Sequence, residues 1–274
     1  MSRNGKKKKT AGDYLLTLVL IIAIGVFCFA GYNLYHIYTE YKKGTDEYNR
    51  IAQMAVTERE PEVPEEAVEE EQQEEGIKAP IEIDFDSLRA VNEDVIGWIY
   101  VEAMPDINYP VVKGKDNEEY LHATYEKNYN FAGTIFIDYE NAADFSDCNT
   151  IVYGHNMKNG SMFGHLKNFI EKPEETYGKS RYIWILTPER NLRYDIMSAY
   201  TTGVNSETYT LFKGPGEEFL DWMGNMIERS EIETVIEEPV VQDKVITLST
   251  CTGNSATRFV VQGKLSGVET VRKD

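Results

Sequence analysis

Cys251 closes the apolar run VITLST (245–250) and opens the small polar stretch TGNSAT (252–257), after which Arg258 begins a second run, RFVVQGKL (258–265). A thiol at the end of a rigid strand and facing a loop is held firmly yet can be reached, the placement a cysteine nucleophile needs. A short turn can return Arg258 to the neighbourhood of that sulfur. There a guanidinium favours thiolate over thiol and can donate hydrogen bonds to an oxyanion. The same spacing also fits a buried structural cysteine beside an exposed loop arginine, and spacing alone leaves the two readings even. His155 shifts the balance. It follows the run TIVYG (150–154) and precedes NMKNGSMF, again where a strand meets a loop. A thiol needs a base or an imidazolium partner and a departing amine needs a proton, and one histidine can serve both in acyl transfer. Of the four histidines, His36 ends the apolar N-terminal stretch, while His122 and His165 fall in expected surface helices.

The elements that must position these residues are short. Runs of β-branched and aromatic residues recur between Gly, Pro and Asn breaks at 97–101, 109–114, 134–138, 150–154, 181–187, 192–200, 244–250 and 258–265. Eight such strands with turn signals between them predict a barrel or sandwich, and 188–191 reads as a hairpin turn. Helices are expected at 85–92, 116–122, 161–170 and 215–229. The last has Pro215 at its start and Phe219, Leu220, Met223, Met226 and Ile227 at helical spacing, and it sits between the sixth and seventh strands. The mainly β domain is expected to occupy 80–274.

Before it come three non-globular segments. Residues 1–13 form a basic tail, and 14–39 hold no formally charged side chain and are apolar enough to cross a bilayer. The basic flank predicts a cytoplasmic N-terminus with the remainder outside the cell, held by a single-pass uncleaved anchor in the cell membrane. Residues 40–79, rich in Glu and Pro from 57 onward, read as a solvated stalk. The chain carries 28 basic and 46 acidic residues, a net charge of -18. Five of the bases and one of the acids lie in the tail, leaving 23 against 45 beyond it. So acidic an ectodomain would repel the phosphates of nucleic acid. Cys28 falls within the span, so the ectodomain holds only Cys148 and Cys251. That is sparse for a disulfide-dependent exported domain, and Cys148 reads as a free, non-catalytic thiol. Asp138, Glu140, Asp144 and Asp147 cluster loosely without the regularity of a calcium loop, and read as a solvated acidic loop rather than a metal site.

TLSTC (247–251) with an arginine downstream in RFVV resembles the active-site signature of the sortases, and YGHNM (153–157) resembles the histidine motif of their class B. GWI (97–99), NYPVV (108–112), YL (120–121), GTIFID (133–138) and SMFGHL (161–166) follow the class B pattern in the same order, and the helix inserted before the seventh strand is similar too. The resemblance spans about 85–265 and implies an eight-stranded sortase barrel with peripheral helices. It implies the following chemistry for a cysteine transpeptidase of Gram-positive type. Cys251 attacks the carbonyl of a threonine in a sorting signal near the C-terminus of a surface protein and forms a thioester. His155 protonates the departing amine and helps deprotonate the incoming one, and Arg258 steadies the oxyanion. The acceptor is an amine of a peptidoglycan precursor or of the cell wall. Ser249, the serine of TLSTC, is expected beside the substrate groove or as an inward-facing strand hydroxyl, and Tyr209 as a groove-lining residue. No cofactor is implied. The turn after Cys251 is short, and Thr252 stands after the nucleophile, so no acid is available there. Two rivals stay in view: a pilin-polymerising relative with a lysine acceptor, and a non-catalytic tethered binding module in which Cys251 is buried or bridged to Cys148.

Overall fold

The eight apolar runs do form strands, and the way they pair decides where their ends lie. A computed structural model describes residues 10–59 and 77–271. In chain order the elements are α1 (Ala11–Ala55), β1 (Val56–Glu58), β2 (Ile81–Ile83), α2 (Phe85–Val91), β3 (Val95–Val101), β4 (Asn108–Val112), β5 (Ile135–Ile137), β6 (Asn149–Tyr153), α3 (Asn168–Glu171), β7 (Tyr182–Leu186), β8 (Arg190–Gly203), α4 (Glu217–Glu228), β9 (Val245–Cys251) and β10 (Thr257–Thr270). β1 and β2 form a small antiparallel pair, and the other eight close into a barrel in the order β10-β8-β7-β3-β4-β5-β6-β9.

Two contacts in the barrel are parallel, β4 with β5 and β6 with β9. Parallel neighbours cannot be joined by a tight hairpin and need long crossovers. The connections 113–134 and 154–244 are those crossovers. Both faces of several strands are covered, so their burial is nearly continuous rather than alternating; six of the seven residues of β9 are buried. α4 supplies one cover. Phe219, Trp222, Met223 and Met226 pack with Met197, Tyr200, Val245, Val260 and Cys148, each large apolar side chain contributing roughly 1.5–3 kcal/mol.

One expected helix is absent and another is cut to its end. At 116–122 the Asp116 carboxylate accepts from the amides of Glu118 and Glu119, and such side-chain bonds favour turns over helix. In 161–170 only the end is helical, as part of α3. Met162 has φ 56 and its amide donates to the Tyr109 hydroxyl at 3.1 Å, which interrupts any earlier start. α2 forms as expected, capped by Asp84 accepting from the Ser87 amide.

The chain divides into two units, 1–43 and 44–274. In the first, helix α1 exposes many large apolar side chains and no formally charged one between Tyr14 and Tyr38, and it is long and apolar enough to cross a membrane. The second begins well before the expected residue 80, because the last turns of α1 are not stalk. Tyr48, Ile51 and Ala55 are buried there, and the Tyr48 hydroxyl donates to the Gly133 carbonyl at 2.6 Å. Residues 60–76 of the expected stalk lie outside the described residues.

Candidate active site

Because β6 and β9 run parallel, both strands deliver their C-terminal ends to the same end of the barrel. Their register pairs Ile151 with Thr247 and Tyr153 with Ser249. His155 and Cys251 each stand two residues beyond that last pair, on neighbouring chains whose spacing in a sheet is about 4.8 Å. The two chains stay joined past the ladder. The Gly154 amide donates to the Ser249 carbonyl at 3.1 Å, and the Asn156 side chain donates to the Cys251 carbonyl at 2.7 Å. β10 then returns antiparallel, and Arg258 is the direct cross-strand partner of Cys251, which puts their Cβ atoms about 5 Å apart. Across the turn between them the Thr252 hydroxyl bonds that of Thr257. The Arg258 guanidinium donates to the carbonyls of Thr257 (2.9 Å) and Ser255 (3.1 Å). Cys251 itself is half-buried.

His155 is held by the crossover 113–134. Its Nε2 lies 2.7 Å from the Leu121 carbonyl oxygen. A carbonyl only accepts, so Nε2 carries the proton and Nδ1 is the basic nitrogen of the neutral ring. Burial holds the His155 pKa below its ordinary value. The Leu121 carbonyl opposes that shift, and the charge of His122 adds to it. A lowered pKa keeps the ring uncharged near neutrality. Among the described residues no hydrogen bond joins this ring to the Cys251 sulfur.

A third group faces the same place. β8 runs antiparallel to β10, with Gly203 opposite Thr257, so its end also arrives here and leads into a single helical turn, Glu207–Tyr209. The Tyr209 hydroxyl lies 2.8 Å from the Ser249 hydroxyl, so the two expected groove residues meet. Ser249 is buried against Tyr209. Burial raises the Tyr209 pKa, while the Ser249 bond and the Arg258 charge lower it and Cys251 raises it. Asn149 fixes the turn from below. Its Nδ2 donates to the carbonyls of Thr208 and Thr210, on either side of Tyr209, at 3.2 and 3.1 Å, and its Oδ1 accepts from the Thr247 hydroxyl at 2.7 Å.

All three cysteines are free thiols, which removes the bridged arrangement. Cys148 is buried under α4, and burial pushes its pKa up. The acidic cluster is engaged internally. Asp138 accepts from Asn117 and Tyr153, Asp147 from Asn141 and the Ala142 amide, and Asp144 from the Ser146 amide. His122 lies in an exposed turn rather than a helix, and His165 is half-exposed, 3.9 Å from Asp106. Sequence reasoning assigned no role to Asn149, Asn156 or the Leu121 carbonyl. Asn156 and Leu121 stand inside the motifs YGHNM and YL, whose order was the available signal. Asn149 has none.

A sortase-domain family model matches residues 99–266. Sortase B of Listeria monocytogenes is 32% identical over 199 residues, covering 69% of this chain and 77% of that protein. Among solved structures, sortase B from B. anthracis in complex with AAEK1 superposes with a TM-score of 0.66 at 27% identity, covering 84% of this chain and 99% of that one. The Staphylococcus aureus sortase B–substrate complex superposes with a TM-score of 0.61 at 28% identity, covering 67% and 84%. The match takes in the barrel from β3 to β10 together with the strand ends that carry Cys251, His155 and Arg258. The chain belongs to the sortase family of cysteine transpeptidases, and the relatives it matches are of class B.

Proposed function

We propose that the chain is a membrane-anchored transpeptidase that cuts a C-terminal sorting signal after a threonine and joins the shortened protein to an amine of peptidoglycan or its precursor. In this reading Cys251 is the nucleophile. The Cys251 thiol gives its proton to His155 as its sulfur attacks the threonine carbonyl, and when the C–N bond breaks the leaving amine takes that proton from His155. The thioester is then attacked by the acceptor amine, which loses a proton to His155, and the departing thiolate takes that proton back to restore the thiol. Arg258 donates to the oxyanion of both tetrahedral intermediates. Ser249 and Tyr209 form one wall of the groove that receives the signal. The apolar stretch of α1 anchors the protein, with the basic tail in the cytoplasm and the barrel outside. The observation that carries this reading is the delivery of Cys251, His155 and Arg258 to one barrel end by three separate strands.

The test is incubation of the full-length protein with a small library of sorting-signal peptides, read by mass spectrometry. The wild type is expected to carry a thioester on Cys251. Cys251→Ala should lose cleavage entirely and keep its thermal transition, since the change removes one atom from a half-buried position. Cleavage retained by that variant ends the assignment. Peptidoglycan-type amines set against a lysine side chain in competition identify the acceptor.

A further inference from the structure

A second imidazole lies against the first. The His122 ring is nearly parallel to that of His155, with centroids 5.6 Å apart and planes 20° apart, and none of the chemistry above uses it. The preceding residue supplies the carbonyl that binds His155 Nε2, so two consecutive residues hold the ring by its edge and by its face. The turn that presents them is anchored on several sides. Asn130 donates its amide to the His122 carbonyl at 3.0 Å, Thr134 donates its amide to the Tyr120 carbonyl at 3.1 Å, and the Tyr120 hydroxyl bonds Asp94 at 2.5 Å. Tyr129 flanks His122, with ring centroids 6.3 Å apart.

We propose that His122 is a positioning residue for His155, covering one face of its ring and setting, as a neighbour of like charge, the pH at which that ring takes a proton. A charged His122 disfavours a second charge on the ring stacked against it, so the pair accepts one proton more readily than two. His122 is exposed, whereas His155 is half-buried. The groups around His155 are few. The 113–134 crossover contributes the Leu121 carbonyl and His122, the ends of β9 and β10 contribute Cys251 and Arg258, and its own turn contributes the neutral Asn156. Among the described residues in that set, His122 is the side chain whose charge bears on the lowered pKa of His155.

This inference rests on the acid–base role proposed for His155, so its test reads the imidazole itself. In the full-length chain labelled with ¹³C-histidine, NMR titration follows His155 in the wild type, in His122→Phe, which keeps a ring over the face, and in His122→Gln, which does not. The midpoint of His155 is expected to rise in both variants. The limb of the kcat/KM profile that reports His155 should move the same way, while KM for a sorting peptide changes by less than about twofold. A midpoint unmoved in both variants, or moved only in His122→Gln, overturns the proposal, because cover alone would then account for the contact. Cleavage by Cys251→Ala would instead sink the catalytic reading and leave the titration result standing.

Discussion

The strand pair ending in Cys251 and Arg258 and the crossover that receives His155 meet the same positioning demand by different means. Cys251 and Arg258 are register partners in an antiparallel ladder, so backbone hydrogen bonds and a short turn place them relative to each other. His155 stands beyond the end of its ladder. Its ring is held by a carbonyl and a second imidazole from a crossover that precedes it by more than 30 residues. That crossover is held in turn by Tyr48, near the end of α1. A ladder tolerates side-chain changes because its backbone contacts persist, whereas a ring held by a loop depends on every contact that shapes the loop. Changes at the thiol–arginine pair should therefore be chemical and leave the fold intact, and changes around the histidine should couple stability to activity.

The largest expected effect tests the chemical side. Arg258→Lys keeps the charge but loses the planar fork. It should lower kcat/KM by about 10²–10³, the range for loss of an oxyanion donor, with an unchanged melting temperature; a near wild-type rate removes Arg258 from the mechanism. Next comes Gly133→Ala. Gly133 has φ +59, and an added Cβ would lie 2.5 Å from the Leu121 carbonyl oxygen and 2.7 Å from that of Tyr120. Relief of this clash must move the carbonyl that holds His155. Stability should fall by about 1–3 kcal/mol and activity by roughly tenfold. If denaturant melts show the destabilisation while turnover is untouched, the crossover does not position the ring.

Asn149→Ala leaves the carbonyls of Thr208 and Thr210 without their side-chain donor and the Thr247 hydroxyl with only the bond it accepts from Gln262, at a cost of about 1–3 kcal/mol. Because those carbonyls flank Tyr209, KM for the sorting peptide should rise while alkylation of Cys251 by iodoacetamide keeps its rate. An unchanged KM detaches Tyr209 from the groove. The smallest effect is expected from Tyr48→Phe, which removes a buried hydroxyl that bonds the Gly133 carbonyl and the Thr134 hydroxyl. About 1 kcal/mol of stability and a melting shift of about 2–4 °C should accompany a slight loss of turnover. A shift in melting with no change whatever in rate would confine α1 to a structural role.

The eight strands were legible because each is a run of β-branched and aromatic residues bounded by Gly, Pro or Asn. α4 was legible because Phe219, Met223 and Met226 repeat at helical spacing. The helices expected at 116–122 and 161–170 failed for local reasons that periodicity does not register: an Asp116 carboxylate that captures two amides, and a left-handed Met162. The last turns of α1 look like stalk in the sequence because their polar residues give no sign of a partner. Their burial depends on the 113–134 crossover, which is distant in the chain. Cys251, His155 and Arg258 were visible as strand-end residues within motifs, whereas Asn149 looks like any polar residue at the start of a strand.

By itself the sequence determined residue types, strand and helix periods, the apolar N-terminal span, and the family signature around the thiol. Only the tertiary structure decided that β6 and β9 lie side by side and parallel, that Asn149 braces the Tyr209 turn, and that His122 stacks on His155. Periodicity reports which faces of a segment are apolar, a property of neighbours along the chain. Which strand pairs with which, and in what direction, follows from closing the barrel, and that is a property of all eight strands together.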